Sequence, residues 1–178
     1  MDTLKTILDR RSIRRYTKAP VSREILLQLA KAGMAAPSSQ DTRHFRFIIV
    51  DDPSLIDALG AELPYAKMLL TARHAIVVAS DLNAAYDAAS DYWVQDCSAA
   101  AENILLAAKA LGLGACWTAA HPRPQRVTLV KKMLALPEHV SPLCVIAIGI
   151  PTGEDKPRDK YNAAHVHFNK WIITPQSN

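Results

Sequence analysis

The chain has 178 residues, a length that suits one domain or one protomer of an oligomer. Hydrophobic residues make up 49% of the sequence and charged residues 21%. This composition is typical of a globular protein and excludes a disordered chain or a collagen-like repeat. The formal net charge is only +4, so the positions of the basic residues are more informative than their excess.

Three widely spaced cysteines, Cys97, Cys116 and Cys144, lie in apolar runs. An odd number without a C-x-x-C pair argues against a disulfide framework and against a zinc site. We therefore expect buried, reduced thiols in a cytoplasmic protein and no bound metal. We expect no secretory leader, because residues 1–11 lack an apolar core. The longest uncharged windows, such as residues 140–153, are shorter than the roughly 18 apolar residues of a membrane helix, so we expect no membrane partner.

The first third of the chain alternates between helical and strand patterns. A short helix is predicted at roughly Asp2 to Asp9. A second helix is predicted after Ser22, a plausible N-cap, because apolar residues then follow one helical face. The run Pro37-Ser38-Ser39 ends this helix. The next segment, HFRFIIV at His44 to Val50, predicts a strand.

The following segments predict two helices and a buried strand. A turn at Asp51-Asp52-Pro53 leads into a helix over Leu55 to Leu59, and a short helix after a break at Leu63-Pro64 is expected to hold Lys67. The apolar run Ala75 to Ser80 predicts a strand that is buried on both faces.

The longest predicted helix runs from Tyr92 to Leu111, with Gly112 as its C-terminal cap. It is rich in alanine, and small side chains let helices approach one another closely. A helix that is apolar nearly all round is buried. It is therefore either part of a subunit interface, which we favour for a chain of this size, or the central core helix of a monomer.

The last third of the chain completes the set of predicted elements. They are a strand at Ala115 to Thr118, a turn at His121-Pro122-Arg123-Pro124, a helix at Val127 to Leu136, a strand at Leu143 to Ile150, and a polar tail at Thr152 to Asn178 with Trp171-Ile172-Ile173 near its end. The order of helices and strands is not a regular βαβ alternation, so we predict an α+β fold.

Basic residues form two clusters. Six lie between Arg10 and Arg23 with no acidic residue among them, and Lys156 and Arg158 follow the last predicted strand. Guanidinium and ammonium groups match phosphate oxygens, and two small clusters suit one phosphate group. A nucleic-acid surface would need a longer basic stripe with interleaved aromatic residues, whereas Tyr16 is the only aromatic residue in the run. Solvated surface charge is the remaining alternative.

Five motifs follow one another along the chain. They are DRRSIRRY at 9–16, APSS at 36–39, AKML at 66–69, QDCSA at 95–99 with GLGACW at 112–117, and GIP at 149–151 followed by KPR at 156–158. In this order they resemble the FMN-dependent nitroreductase family, whose members open with R-R-S-x-R-x-[FY] and close with G-x-P…K-x-R. The resemblance extends over about Met1 to Trp171.

The resemblance implies a nitroreductase-like α+β fold, with a central mixed or antiparallel sheet flanked by helices, in an interlocked homodimer. Residues 1–178 would form one domain, in which residues 152–178 are an extension that packs on the partner subunit. Two FMN molecules would bind at the interface. The implied contacts are Arg10, Arg11, Ser12, Lys156 and Arg158 with the phosphate and ribityl chain; Arg14 and Lys67 with the pyrimidine edge; the backbone of Thr118, Ala119 and Ala120 near N5; and Pro37, Ser38 and Ser39 from the other subunit.

The implied activity is that of an FMN-dependent oxidoreductase. It would take a hydride from NADH or NADPH and pass it, by a ping-pong mechanism, to a small-molecule acceptor such as a nitroaromatic or a quinone. The flavin carries the chemistry, so no catalytic side chain is required. The alternatives are a flavin enzyme for another acceptor, such as an enone or a halogenated aromatic, and a flavin- or nucleotide-binding sensor without turnover.

One segment departs from the family pattern. Many members read N-x-Q-P-W-x-F after the A-P-S turn, whereas this chain reads DTRHFRF at 41–47. We therefore assign Asp41 and Arg43 to the substrate pocket. We hypothesise that Arg43 favours anionic acceptors, because a desolvated guanidinium pairs with a carboxylate.

Overall fold

An antiparallel sheet forms the centre of the fold. In the computed structural model, which describes residues 2–171, its four strands are β1 (Phe45–Val50), β2 (His74–Asp81), β3 (Gly114–Ala119) and β4 (Val140–Gly149). The strands lie in the order β1-β2-β4-β3, and each neighbouring pair is antiparallel. This arrangement, with helices between the strands, confirms the predicted α+β class.

Helices cover the sheet on both sides. Within the described residues there are six α-helices: α1 (Thr3–Asp9), α2 (Arg23–Met34), α3 (Pro53–Glu62), α4 (Leu69–Ala72), α5 (Tyr92–Ala110) and α6 (Pro124–Met133). Ser22 is the N-cap of α2, as predicted, since its side chain accepts a hydrogen bond from the Ile25 N–H. Asp52 caps α3 in the same way, with bonds of 2.8 Å from Ser54 and 3.0 Å from Leu55.

The alternation of side chains along β2 divides the core into two layers. Ile76 and Val78 pack against α2 and α5, whereas Ala75 and Val77 face the layer that holds α3, α4 and α6. The strand is buried on both faces, as its continuous apolar run predicted. We refer to the first of these layers as the α5 side of the sheet and to the second as the α6 side.

Helix α5 is a core helix within the single chain. Trp93, Cys97, Ala100, Ile104 and Ala108 are buried, and they pack with α2 and the sheet. Participation of α5 in a subunit interface stays a prediction.

Two elements differ from their predicted bounds for reasons of backbone chemistry. Strand β4 begins at Val140 rather than at Leu143, because the pairing of β2 with β4 shifts between Val78 and Ala79 and Pro142 lies beside this irregularity. A residue without an N–H is tolerated in a strand at such a position. Helix α6 begins at Pro124, since proline suits the first helical position.

Lys67 does not lie in a helix, contrary to the prediction. The residues after α3 form successive turns, with Tyr65 in the left-handed region at φ 65°, and α4 begins only at Leu69. Lys67 lies one residue before Met68, the N-cap of α4. The turns after Pro64 thus delay the start of the helix to Leu69.

All three cysteines are free and buried, as predicted. Burial raises the pKa of the Cys97 thiol to about 12 and that of Cys144 well above its ordinary value. These thiols therefore stay protonated at neutral pH. Among residues 2–171, no helix is long and apolar enough to cross a membrane.

The predicted tail begins after β4. Trp171 is 79% exposed, and its ring centroid lies 4.2 Å from that of His167. Ile172 and Ile173, the rest of the apolar piece that was expected to pack, lie outside the described residues.

Two glycines let the segment after α1 approach the sheet. A Cβ at Gly114 would lie 2.7 Å from Ile13 Cγ2, and a Cβ at Gly149 would lie 2.9 Å from Tyr16 Cδ1 and 3.0 Å from the Ala72 carbonyl oxygen. Backbone on one side and a buried ring on the other leave no room at Gly149. The close approach places residues 10–16 against the ends of β3 and β4.

We predict that Gly149→Ala destabilises the protein by about 1–3 kcal/mol through overpacking. Gly60→Ala is the matched control, since its Cβ would lie 2.8 Å from Leu70 Cδ2. Leu70 is 43% exposed and can rotate away, and alanine is favoured over glycine within a helix. Urea unfolding should therefore show a loss of stability for the first variant alone, and equal losses would contradict this account.

Candidate functional site

The two basic clusters lie together in the folded chain. Tyr16 forms an isolated β-bridge with Pro151, and the Thr17 N–H donates to the Ile150 carbonyl at 2.8 Å. Further along, Arg11 Nη1 donates to the carbonyl of Lys156 at 2.6 Å. The segment after α1 thus runs beside the segment after β4, although about 145 residues separate Arg11 from Lys156 in sequence.

The arginines at this junction are not fully satisfied by the chain. Within the described residues, Arg10 Nε and Arg11 Nε are buried and have no hydrogen-bond partner. Arg10 Nε lies 2.8 Å from a carboxylate oxygen of Glu102, but outside hydrogen-bonding geometry, and Arg11 Nη2 lies 3.5 Å from Asp155. A buried donor without an acceptor costs about 1–3 kcal/mol. Such donors fit a ligand that brings acceptor oxygens.

A cavity of about 220 Å³ lies beside these two guanidinium groups. Its charged lining consists of Arg10, Arg11 and Lys109 against Asp9 and Asp155. The lining thus holds three cationic groups, of which Arg10 also lies 2.8 Å from Glu102. Arg158 lines a neighbouring cavity of about 520 Å³.

Ser12 and Arg14 lie next to strand β3. The N–H of Ile13 between them donates to the carbonyl of Ala115 at 3.0 Å. Burial raises the pKa of the Cys116 thiol, while the charge of Arg14 and a hydrogen bond with Ser12 act in the opposite direction. Both side chains therefore lie near Cys116.

Lys67 and the end of β3 belong to the α6 side of the sheet. Ala66 and Met68, which flank Lys67, are buried in the same apolar cluster as Tyr16, Cys116 and Ala120. The Ala120 N–H donates to the carbonyl of Leu143 at 2.9 Å, so it already has an acceptor within the chain. Residues 118–120 lie about 10 Å along β3 from the Ile13 contact, at the usual rise per strand residue.

Pro37, Ser38 and Ser39 are not brought to this group within one chain. Their turn lies on the α5 side of the sheet, where the Ser39 N–H donates to a carboxylate oxygen of Asp96 at 2.9 Å. Ala36, just before the turn, is buried in the cluster that contains α5. The predicted site residues thus fall on two opposite sides of the sheet.

Asp41 and Arg43 form an exposed ion pair. Arg43 Nε donates to Asp41 Oδ1 at 2.8 Å and Nη2 donates to Oδ2 at 2.6 Å, and the side chains are 75% and 71% exposed for Arg43 and Asp41 respectively. These bonds lower the pKa of the Asp41 carboxyl and raise that of Arg43. Arg43 is therefore neither desolvated nor without a counter-charge.

A buried polar network lies beside this loop, and the sequence analysis missed it. His44 Nε2 lies 3.0 Å from Asp96 Oδ2, and His44 Nδ1 lies 2.8 Å from Ser80 Oγ. His44 and Ser80 are fully buried. One signal could have indicated it, since Asp96 is one of only three charged residues in the sequence of α5, and a carboxylate that is buried there needs a partner.

A family model described as the Nitroreductase family matches residues 7–63 and 57–150. Among curated relatives, a protein of Methanothermobacter thermautotrophicus, provisionally named an NADH dehydrogenase/NAD(P)H nitroreductase, is 39% identical over 171 residues. The match covers 96% of this chain and 88% of the relative.

Two solved structures resemble the chain over nearly its whole length. A protein of Parabacteroides distasonis, provisionally named an NADH dehydrogenase/NAD(P)H nitroreductase, has a TM-score of 0.90 at 48% identity, covering 95% of this chain and 98% of its own. A protein of Desulfovibrio desulfuricans, provisionally named a nitroreductase and solved in complex with FMN, has a TM-score of 0.80 at 32% identity. That match covers 97% of this chain and 99% of the other. The likeness therefore extends over nearly the whole chain.

Proposed function

The chain belongs to the nitroreductase family, and we propose that it is a cytoplasmic FMN-dependent oxidoreductase that uses NADH or NADPH. The observation that carries this proposal is the pair of buried Nε donors of Arg10 and Arg11, beside a cavity of about 220 Å³. A phosphate group supplies the acceptor oxygens that these donors lack within the described residues. The three buried free thiols suit a reducing compartment.

The residues at the junction fit the phosphate end of FMN. Arg10 and Arg11 would be its principal partners, because a guanidinium presents several donors in a fixed fork. Ser12 adds a hydroxyl, and the exposed side chains of Lys156 and Arg158 add charge from the other end of the chain. We assign these five residues to the phosphate and the ribityl chain.

The flavin ring would extend from this junction along the α6 side of the sheet. Arg14 and Lys67, both exposed, would place positive charge at the pyrimidine edge. The reduced flavin tends to carry negative charge there, so fixed cations favour the reduced form and raise the reduction potential. Residues 118–120 would line the ring near N5 through their backbone.

When bound, FMN would accept a hydride from NADH or NADPH and give it to an electron acceptor such as a nitroaromatic or a quinone, with the two substrates using the same site in turn. The chain contributes binding, orientation and charge. This division explains why the site has no evident catalytic dyad among the predicted residues.

We propose that the active form is a homodimer with two sites at its interface. Support comes from the turn Pro37-Ser38-Ser39, which lies on the opposite side of the sheet from Arg14 and Lys67. In this proposal, a flavin bound by Arg14 and Lys67 would meet this turn from a second chain. Several apolar side chains also remain exposed in the single chain: Leu4, Leu8, Leu27, Met34, Tyr161, Phe168 and Trp171. The C-terminal extension, residues 152–178, would cover part of the partner.

The first test is optical. Purified protein is expected to bind FMN, to show flavin absorption, and to lose that absorption under anaerobic NADH or NADPH. Addition of a nitroaromatic or a quinone should restore it. A protein that cannot be loaded with FMN would refute the proposal, and reoxidation by oxygen alone would favour a sensor without turnover.

The second prediction concerns the phosphate contacts. Lys156→Ala combined with Arg158→Ala should weaken FMN binding by roughly a hundred-fold to ten-thousand-fold, since each of the two charge-assisted bonds contributes about 1.5–3 kcal/mol and about 1.4 kcal/mol corresponds to a factor of ten. The bond from Arg11 should survive, because it goes to the Lys156 carbonyl. Fluorescence titration of the apoprotein measures the affinity.

The matched control removes the same charge elsewhere. Lys31 on α2 and Lys132 on α6 are exposed, and their double replacement by alanine should leave FMN affinity unchanged. An equal loss in both double variants would indicate a general charge effect instead of direct contact.

The third prediction concerns acceptor selectivity at the exposed pair Asp41 and Arg43. Arg43→Ala should lower kcat/KM for an anionic acceptor relative to a neutral analogue, and Asp41→Ala should raise it because the guanidinium then loses its counter-charge. Both effects should shrink at high salt, since the pair is exposed. Equal changes for the charged and neutral acceptors would contradict the assignment of these residues to the substrate pocket.

A further inference from the structure

We propose that His44 and Asp96 are positioning residues, which hold the loop Pro37 to Arg43 in the shape that the flavin site requires. The inference rests on the proposed function, because the loop is assigned to the site of the partner chain. Neither residue is placed in contact with flavin or substrate. They act through Ser39, which belongs to the loop and donates two hydrogen bonds to Asp96.

The carboxylate of Asp96 is the centre of the network. It accepts from the Ser39 N–H at 2.9 Å and from the Ser39 hydroxyl at 3.1 Å, and it lies 3.0 Å from His44 Nε2. An ionised carboxylate only accepts hydrogen bonds. Nε2 of His44 therefore carries its proton toward Asp96, and Ser80 faces the other ring nitrogen at 2.8 Å.

Burial increases the energetic importance of these hydrogen bonds. His44 and Ser80 are 0% exposed and Asp96 is 8% exposed, so water does little to solvate the carboxylate. A buried charge is costly unless hydrogen bonds compensate for the water it has lost, so the loss of one donor destabilises the protein. Two of the donors come from Ser39, so the buried carboxylate is stabilised only while Ser39 keeps its position beside α5.

The loop has a backbone that needs such an anchor. Gln40, Asp41 and Arg43 all adopt left-handed backbone angles, with φ of 54°, 53° and 48°. Non-glycine residues seldom adopt this region, and they do so where the surrounding structure determines them. The Arg43 N–H donates to Ser38 Oγ at 3.0 Å, which closes the loop on itself next to the anchored Ser39.

The network joins three parts of the core to this loop. His44 directly precedes β1, Ser80 belongs to β2, and Asp96 belongs to α5. The loop is therefore fixed relative to the sheet and to the long helix at once. In the family pattern quoted above, the place of His44 is held by proline, which has no side-chain donor.

A serine, a histidine and an aspartate in series also occur in hydrolases, but nucleophilic catalysis does not fit here. Ser80 is completely buried, so a substrate carbonyl cannot reach its hydroxyl. The ring is also reversed, since Nδ1 faces the serine and Nε2 faces the carboxylate, the opposite of the arrangement in serine proteases. These hydrogen bonds therefore have a structural role, which is to fix the position of the loop.

The test compares four variants. Asp96→Asn keeps the shape and removes the charge, Ser39→Ala removes one bond at the half-buried end, and His44→Phe removes the ring donor. His44→Gln is the conservative rescue, because its amide N–H can still donate to Asp96. Asn103→Ala is the matched control, since it removes a 3.1 Å bond from α5 to the Ala32 carbonyl elsewhere on the same helix.

The first readout is the rate of tryptic cleavage after Arg43 in the apoprotein, which needs no flavin. We expect at least a tenfold increase in Asp96→Asn and His44→Phe, a smaller one in Ser39→Ala, partial recovery in His44→Gln, and none in Asn103→Ala. Unchanged cleavage in the folded Ser39→Ala and Asp96→Asn proteins would overturn the anchoring role.

The second readout is FMN affinity together with the visible circular dichroism of the bound flavin, measured on the loaded protein. Variants with an opened loop should lose affinity about tenfold and change the flavin signal, whereas Asn103→Ala should change neither. An opened loop with an unaltered flavin signal and affinity would overturn the positioning role and leave the proposed function intact. If wild-type protein fails to bind FMN, the proposed function fails, and with it the site role, while the cleavage result still decides whether His44 and Asp96 anchor the loop.

Discussion

The pairing of the segment after α1 with the segment after β4 is the constraint on which the site depends. The bridge between Tyr16 and Pro151 requires a glycine at position 149, where a side chain would meet the Tyr16 ring. Once this pairing is made, the Arg11 side chain reaches the backbone of Lys156. Two weak sequence features at opposite ends of the chain then become one cationic junction.

The junction illustrates how a folded chain can be complete in its apolar core and incomplete in its polar contacts. The residues at the centre of both apolar layers are buried, with Ile76 and Val77 fully buried on opposite faces of the same strand. Arg10 and Arg11, in contrast, keep buried donors without acceptors among the described residues. Apolar packing fixes where these donors lie, and their unmet hydrogen bonds indicate what kind of ligand they suit.

The sequence was informative where structure depends on local pattern. Strands β1 and β2, helix α5 and the Ser22 cap follow from apolar runs and capping chemistry that neighbours in sequence determine. The helix expected around Lys67 was wrong because the turns after Pro64 override an apolar run. The pair of His44 and Asp96 escaped notice because 52 residues separate them, and no local pattern couples them.

The residues proposed for the flavin site lie on two sides of the sheet. Arg14 and Lys67 lie with the α6 layer, whereas Ser39 is tied to Asp96 in the α5 layer. In the proposed homodimer, the loop that contains Ser39 would serve the site of the partner chain. A loop that serves a partner's site gains no positional support from the ligand of its own chain. Its shape has to come from its own core, and a buried carboxylate with two bonds to Ser39 provides that support.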